Sequence, residues 1–223
     1  MTNMPRIFMD SKLSPDAKLK LTREQCHYLL HVMRTKKFLI FNDGNEYAAE
    51  LTDDNGMFAA GTKTEHKDPS GNFAFYFAPI KKTEDLISAV TQMGAAILQP
   101  VITERTTARH INWTRMKKIV IEAAEQSGRN SVPELRSPIT FKELDKKDLI
   151  FGNPTHEPRT TSHEPRKLFI GPEGGLSDDE INELEKSGAV GINLGATILR
   201  AETAAVALCA VMSQCVRFAH NSI

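Results

Sequence analysis

The chain has 223 residues, and its 28 Lys and Arg balance 28 Asp and Glu, so the formal net charge is zero. No apolar run approaches the roughly 18–20 residues of a membrane-spanning helix, and the N-terminus lacks the apolar stretch of a signal peptide. The three cysteines form no CxxC pair, which is typical of reduced thiols. We therefore expect a cytoplasmic globular protein of one or two domains, with no membrane partner.

The first 70 residues or so are predicted to be mostly β. Apolar runs at 38–41 and 47–51 flank Asn-Asp-Gly, which predicts a hairpin, and a third strand follows at 57–62. One short helix is expected from Thr22, its N-cap, to about Met33. This pattern is typical of a small barrel or sandwich, and Pro, Ser and Gly within 66–72 predict a domain boundary.

The rest of the chain alternates strands with helices. Strands are predicted at 73–78, 95–101, 134–136, 148–152, 168–170 and 189–194, and helices at 83–93, 112–128, from 140, from 177 to 188, and at 202–220. Ser177 with Glu180 forms a capping box for the fourth of these helices. The polar stretch 153–166 is expected to be a loop. This order favours an α/β fold with a parallel sheet.

Two loops carry the chemistry. Gly-Pro-Glu-Gly-Gly at 171–175 is neither a dinucleotide fingerprint nor a P-loop, but adjacent glycines let a flat ligand approach the backbone closely. An ordinary tight turn is the alternative. Arg200 and Glu202 either form a surface salt bridge or hold a polyanionic or weakly acidic substrate, with Arg200 donating hydrogen bonds and Glu202 accepting a proton. The spacing leaves both interpretations open.

Other polar residues give weaker signals. Arg129 follows a helix whose end Gly128 explains, so Arg129 is a candidate for an RNA or phosphate contact. The basic residues of the first 70, which include Arg6 and Arg34, either follow phosphates or are simply solvated. His27 and His31 share a helix face without a third ligand nearby, so no metal site is predicted. Cys26, Cys209 and Cys215 are expected to fill the core.

The last helix, 202–220, is apolar on nearly every side. Such a helix must be covered on most of its surface, either by its own sheet or by another subunit.

Several motifs resemble one known family. They are Pro-Arg-Ile-Phe at 5–8, His-Tyr-Leu-Leu-His-Val-Met-Arg at 27–34, Pro-Val-Ile-Thr-Glu-Arg at 100–105, Glu-Ala-Ala-Glu-Gln-Ser-Gly-Arg at 122–129, Ile-Gly-Pro-Glu-Gly-Gly-Leu-Ser at 170–177, Leu-Gly at 194–195, and Ile-Leu-Arg-Ala-Glu-Thr-Ala at 198–204. Together they resemble the RsmE-type 16S ribosomal RNA uridine-N3 methyltransferases of the SPOUT superfamily. The chain departs from that pattern at Ala89, Gln92 and Ala196-Thr197, where the family commonly has Lys, Glu and Pro-Arg.

The resemblance implies a PUA-like RNA-binding β-barrel over residues 1–70 and a SPOUT methyltransferase domain over 73–223. In that domain a parallel sheet would carry a trefoil knot at about 150–210, and the knot would build the site for S-adenosylmethionine. The family works as a homodimer through the last helix. The implied substrate is 16S ribosomal RNA or the small ribosomal subunit.

The resemblance also implies roles for individual residues. The expected cofactor-binding residues are Asn153, Ile170, Gly171, Gly174, Gly175, Leu194, Gly195, Ile198 and Leu199. Glu202 is the leading candidate for the base that removes the N3 proton, with Arg200 stabilising charge and Glu173 as the second candidate base. Arg6, Arg34, Arg105 and Arg129 are expected to bind RNA. The alternatives are a non-catalytic RNA-binding factor in ribosome assembly and a SPOUT methyltransferase acting on another RNA.

Overall fold

The computed structural model describes residues 4–53, 55–68, 73–108, 111–154 and 167–220, with side chains described up to residue 212. The chain forms two compact units. The first contains Met1–Ser70 and Ile121–Val132, and the second contains Gly71–Val120 and Pro133–Ile223. The first unit therefore includes a segment from the middle of the chain as well as the N-terminal residues. Part of the predicted boundary segment 66–72 lies outside the described residues.

A curled, mixed half-barrel sheet forms the first unit. Its strands are β1 (Arg6–Phe8), β2 (Lys18–Lys20), β3 (Lys37–Asn42), β4 (Asn45–Leu51) and β5 (Met57–Lys63), in the order β1-β3-β4-β5-β2. β1 runs parallel to β3, and the other pairs are antiparallel. The predicted hairpin is confirmed: Asp43 and Gly44 take φ values of 48° and 75°, as a tight hairpin turn requires.

The predicted helix from Thr22 to Met33 is α-helical only in its first part and continues as a π-helix. α1 spans Arg23–His27, with Thr22 and Gln25 forming a capping box, and a π-helix follows over Tyr28–Val32. The amide of Met33 donates to the carbonyl of Tyr28, five residues back, so the turn is wider than an α-helical one. This turn places Leu29 fully inside the core of the sheet.

The second unit is an α/β fold. Its strands are β6 (Phe73–Phe77), β7 (Ala95–Ile102), β8 (Glu134–Leu135), β9 (Ile139–Thr140), β10 (Leu149–Gly152), β11 (Lys167–Ile170) and β12 (Val190–Ile192). Its helices are α2 (Thr83–Gln92), α3 (Trp113–Ser127), which continues into the first unit, a 3₁₀ turn (Phe141–Glu143), α4 (Asp178–Lys186) and α5 (Ala201–His220).

All strand pairs of this second sheet are parallel, so the predicted parallel sheet is confirmed. The order is β12-β10-β11-β6-β7-β8, with β9 pairing to β7. The central strands bury one apolar side chain after another, among them Phe75, Phe77, Phe151 and Phe169. Continuous apolar strands of this kind are typical of a parallel sheet covered on both faces.

α5 covers part of that sheet. It packs against β10, β11 and α2, with Ala205, Leu208 and Met212 buried. Cys209 is buried among them, and this burial raises the pKa of its thiol to about 12, so the thiol remains protonated. Cys215 lies beyond the described side chains. No helix in the described part of the chain is long and apolar enough to cross a membrane.

The strand order places three chain segments side by side. β12 pairs with β10 although β11 lies between them in sequence, so the chain passes over β10 after leaving β11. Because the three strands are parallel, their carboxyl ends meet at one edge of the sheet, where such folds usually bind ligands. The predicted knot remains a prediction, since residues 155–166 lie outside the described residues.

Candidate functional site

The loops after β10 and β12 are joined by hydrogen bonds at this edge of the sheet. The backbone amide of Asn153, directly after β10, donates to the carbonyl of Ile192 at 2.9 Å. The side-chain amide of Asn193 donates to the carbonyl of Pro154 at 3.2 Å, and its oxygen accepts from the amide of Gly195 at 3.0 Å. Asn153 is 4% exposed. Two of the three predicted cofactor loops are therefore held together by backbone and Asn193 side-chain hydrogen bonds.

Gly152 allows the third loop to approach. A Cβ on Gly152 would lie 2.8 Å from Cδ1 of Ile170 and 3.3 Å from Cδ1 of Leu194. Ile170 ends β11 and Leu194 follows β12, so the absent side chain lets both apolar groups meet above the end of β10. The structure thus brings together three predicted cofactor segments, around Asn153, Ile170 and Leu194.

The glycine loop presents bare backbone to solvent. Gly175 has a φ of 71° and donates to the carbonyl of Pro172 at 2.9 Å, which closes a turn. A Cβ on Gly175 or on Gly195 would meet nothing within 4 Å. Ile198, in the loop after β12, is 88% exposed. These loops therefore offer accessible peptide groups and an apolar side chain, a combination that suits an adenine-containing ligand.

Arg105 holds the glycine loop. Its guanidinium donates to the carbonyls of Gly174 and Leu176, each at 3.2 Å. The neighbouring amide of Glu104 donates to Glu180 at 2.8 Å, and Glu180 is also the partner of Ser177 in the predicted capping box, which is confirmed. Arg105 was expected to contact RNA, and the structure gives it a position on a predicted cofactor loop that spacing alone did not reveal.

The candidate bases both contact the segment between β6 and α2. Nζ of Lys82 lies 3.5 Å from Oε1 of Glu202, in the first turn of α5, and the Glu202 side chain is 19% exposed. Oε1 of Glu173 accepts a hydrogen bond from the amide of Lys81 at 2.9 Å. Sequence reasoning missed these lysines. The available signal was their place in the loop between the strand predicted at 73–78 and the helix predicted at 83–93.

Arg200 precedes α5 and is exposed. Its carbonyl accepts the amide of Ala204 at 2.8 Å, so its backbone belongs to the start of the helix while its side chain faces solvent. The sequence left open whether Arg200 and Glu202 form a salt bridge. In the structure Arg200 is exposed, and Glu202 contacts Lys82. An exposed guanidinium near a strand-end site can reach a polyanionic substrate.

The arginines of the first unit differ in their surroundings. Arg6 contacts Glu46 and donates to the carbonyl of Arg129 at 2.7 Å and to the side chain of Asn130 at 2.8 Å. Burial lowers the pKa of Arg6 and of Arg129, which is 4% exposed. Arg34, in contrast, is exposed and takes a φ of 51°. Arg6 and Arg129 thus stabilise the first unit, and Arg34 faces solvent.

In the described part of the chain, no group of three or more His, Cys, Asp or Glu side chains could hold a metal ion. His27 and His31 have ring centroids 5.0 Å apart. His156 and His163 lie outside the described residues.

Comparisons with known proteins all identify methyltransferases. A family model for RNA methyltransferase domains matches residues 69–213. The chain is 32% identical to ribosomal RNA small subunit methyltransferase E of Rickettsia conorii, over 90% of this chain and 91% of that protein. A putative methyltransferase of Legionella pneumophila, solved in complex with S-adenosylmethionine, superposes with a TM-score of 0.81 at 26% identity, covering 96% of this chain and 98% of that one.

A second solved structure shows the same fold. It is a ribosomal RNA small subunit methyltransferase E from Neisseria gonorrhoeae, bound to S-adenosylmethionine, with a TM-score of 0.85 at 24% identity, and the match covers 95% of this chain and 98% of that one. The likeness extends over both units.

Proposed function

Because the chain belongs to the ribosomal RNA small subunit methyltransferase E family and carries its RNA methyltransferase domain, we propose that it methylates N3 of a uridine in 16S ribosomal RNA, with S-adenosylmethionine as methyl donor. The observation that carries this proposal is that the carboxyl ends of β10, β11 and β12, and the loops that follow them, lie at one edge of the sheet. Gly152 and the apolar side chains of Ile170 and Leu194 meet at this edge.

The cofactor would bind among Asn153, the loop 171–175 and the loop 194–199. Exposed peptide groups at Gly174, Gly175 and Gly195 suit the edge of an adenine, and Ile198 with Leu199 suits its face. The Legionella relative, in complex with S-adenosylmethionine, supports this assignment. We further infer that 150–210 is threaded as a trefoil knot, since the passage of the chain from β11 over β10 to β12 suits such a path.

S-adenosylmethionine, when bound, supplies an electrophilic methyl group on sulfur. The protein must position the uracil and remove its N3 proton as the nitrogen–carbon bond forms and the carbon–sulfur bond breaks. Holding the reacting groups in alignment offsets roughly 7–11 kcal/mol of barrier. A base adds roughly 10²–10⁴-fold.

Glu202 is the base that the geometry favours. Its carboxylate is mostly shielded and contacts Lys82, which holds it in position. Glu173 already accepts a hydrogen bond from the amide of Lys81, so its role is to hold the conformation of its loop. Arg200, whose side chain is exposed, would stabilise negative charge on a uracil carbonyl or bind a phosphate.

RNA binding is proposed for Arg34 and Arg105 through direct phosphate contacts, because both are exposed. Arg6 and Arg129 are expected to act through the shape of the first unit, since their guanidinium groups are largely enclosed. Charge removal at Arg34 would then weaken RNA binding and reduce its salt dependence.

A homodimer through α5 is also proposed. Val206 and Val211 of this apolar helix are 37% and 42% exposed, and they lie on opposite flanks of its buried face. A second copy would cover them, as the apolar character of the helix requires. Light scattering should give twice the chain mass, and the variant Val206→Glu should give a monomer. A monomeric wild-type protein would contradict the dimer.

The activity can be tested with small ribosomal subunits that lack the modification. The protein is incubated with them and with S-adenosylmethionine carrying an isotopically labelled methyl group, and the ribosomal RNA is digested and analysed by mass spectrometry. We expect label in 3-methyluridine. Label in another nucleoside, or methylation of transfer RNA alone, would refute the proposed target. An absence of heat on titration with S-adenosylmethionine would indicate a non-catalytic RNA-binding protein.

A further inference from the structure

The lysine beside the candidate base is accessible to a substrate. Nζ of Lys82 lies 3.5 Å from Oε1 of Glu202, and the side chain of Lys82 is 53% exposed, whereas that of Glu202 is 19% exposed. The cation is therefore the more accessible partner of this ion pair, and an incoming nucleobase can reach it.

The ion pair lies next to the predicted cofactor loop 171–175. Lys81, the residue before Lys82, donates its backbone amide to Oε1 of Glu173 at 2.9 Å. Consecutive Cα atoms are about 3.8 Å apart, so Lys82 is one residue away from a contact with the glycine loop. A uracil that contacts Lys82 would therefore lie beside the loop that is predicted to bind the cofactor.

The backbone that carries Lys82 is fixed on both sides. The hydroxyl of Thr83 accepts from the amide of Ile80 at 2.8 Å and donates to the carbonyl of Ile80 at 2.7 Å, and Thr83 is 6% exposed. The carbonyl of Lys82 accepts the amide of Leu86 at 3.1 Å, in the first turn of α2. The position of the ammonium group therefore depends only on the rotamers of the lysine side chain.

A donor beside an acceptor matches the edge of uracil that carries N3. On that edge N3–H is a donor, and a carbonyl oxygen flanks it on each side as an acceptor. Lysine has three donors and no acceptor, and an ionised carboxylate has acceptors only. The 3.5 Å between Lys82 and Glu202 exceeds the roughly 2.7–2.9 Å of a charge-assisted hydrogen bond, so each group retains the capacity to bind a nucleobase. Cytosine presents the reverse order, with an amino donor beside an unprotonated N3.

A surface salt bridge is the simpler explanation of this pair. Exposed ion pairs contribute little to stability, and a glutamate in the first turn of a helix is favourable by itself. That explanation accounts for Glu202 at the start of α5. It makes no use of the position of Lys82 next to the glycine loop, and it predicts that loss of the ammonium group leaves the reaction unchanged.

We propose that Lys82 is a further catalytic residue, whose ammonium group donates a hydrogen bond to a carbonyl oxygen next to N3 of the target uridine. As the N3–H bond breaks, the proton passes to Glu202, and the electron pair stays on nitrogen and spreads its charge to the carbonyl oxygens. The ammonium group stabilises that charge until N3 forms its bond to the methyl carbon and the carbon–sulfur bond breaks. This inference rests on the proposed function.

The test compares three single variants of the full-length protein. Lys82→Met removes the ammonium group and keeps the length of the side chain, and Lys82→Arg keeps a cationic donor. Lys117→Met is the control, because it removes the same charge from an exposed position on α3 in the second unit. The measurements are the single-turnover rate on small ribosomal subunits, the affinity for those subunits, and the heat of titration with S-adenosylmethionine.

Lys82→Met should slow single-turnover methylation about 10²-fold, as the loss of one donor to a developing negative charge does. Its affinities for the cofactor and for the subunits should not change. Lys82→Arg should recover part of the rate, and Lys117→Met should behave as the wild type. A wild-type rate in Lys82→Met would reduce the pair to a surface salt bridge and overturn the proposal. Weaker binding of subunits with an unchanged rate at saturation would also overturn it, because Lys82 would then contact a phosphate.

Thio-substituted substrates separate a contact with uracil from the positioning of Glu202. Subunits are reconstituted with 16S ribosomal RNA that carries 2-thiouridine or 4-thiouridine at the uridine that the wild-type protein methylates, because sulfur is a weaker hydrogen-bond acceptor than oxygen. For one of the two, the ratio of the rate on uridine to the rate on thiouridine should be about tenfold larger for the wild type than for Lys82→Met, which is within the range of coupling between groups in contact.

The two possible failures are distinguishable. Equal ratios for both thio-substituted substrates, in a wild-type protein that forms 3-methyluridine, would mean that Lys82 acts only through Glu202. That result would overturn the inference and leave the proposed function intact. A wild-type protein that methylates no uridine would refute the proposed function, and the inference with it.

Discussion

Variants of Arg105 test whether this residue holds the predicted cofactor loop 171–175 or binds RNA. Its two hydrogen bonds to Gly174 and Leu176 are both 3.2 Å long, and the residue is exposed. Hydrogen bonds of this kind each contribute about 0.5–1.5 kcal/mol net. We take the lower part of that range because the contacts are long and partly solvated. Arg105→Ala should then cost about 1–2 kcal/mol in holding the loop 171–175 in its observed conformation.

That cost should appear in cofactor affinity. If the observed loop is the binding conformation, the dissociation constant for S-adenosylmethionine should rise roughly 5- to 30-fold, measured by calorimetry. Thermal unfolding should change little, because the loop contributes little buried surface. Arg105→Lys is the matched control: both carbonyls accept from Nη1 of Arg105, and the shorter lysine side chain keeps the charge but ends short of that atom, so this variant should resemble Arg105→Ala in cofactor affinity.

The RNA measurement completes the comparison. An Arg105→Ala variant that binds S-adenosylmethionine with wild-type affinity, and loses only part of its RNA salt slope, would refute the role assigned to the loop contact. Arg105 would then bind RNA alone, as the family resemblance implied.

Three further predictions test separate parts of the account. Glu202→Gln should slow single-turnover methylation roughly 10²–10⁴-fold without weakening cofactor binding, and an unchanged rate would exclude Glu202 as the base. Gly56→Ala should destabilise the first unit by about 2 kcal/mol or more in thermal melts, because φ is 84° and the new Cβ would clash with Sγ of Cys26, whereas Gly44→Ala carries the positive φ without a clash and should cost less. Burial raises the pKa of Glu125, so stability should fall as pH rises from the ordinary glutamate pKa through the raised folded value, and Glu125→Gln should remove that fall.

Local sequence signals predicted most elements. The cap at Thr22, the box at Ser177 and Glu180, and the Asp-Gly hairpin turn each depend on neighbours within a few residues, and the structure has all three. The short strands β1 and β2 were not predicted, because three residues are too few to show alternation.

Contacts between residues far apart in the chain could not be predicted from the sequence pattern. Arg6 contacts Glu46 and Asn130, which lie 40 and 124 residues away in the chain, and nothing local distinguishes it from a solvated arginine. The contact of Lys82 with Glu202 depends on the packing of α5 against α2, because Lys82 directly precedes α2 and Glu202 lies in the first turn of α5. The sheet's parallel character was predictable from alternating strands and helices, but its order was not.

The most direct test of the central claim is nucleoside mass spectrometry of 16S ribosomal RNA from a strain lacking the gene. The account predicts that 3-methyluridine disappears from small-subunit RNA, returns with the wild-type gene, and does not return with the Glu202→Gln gene. Retention of 3-methyluridine in the deletion strain would contradict the proposed activity.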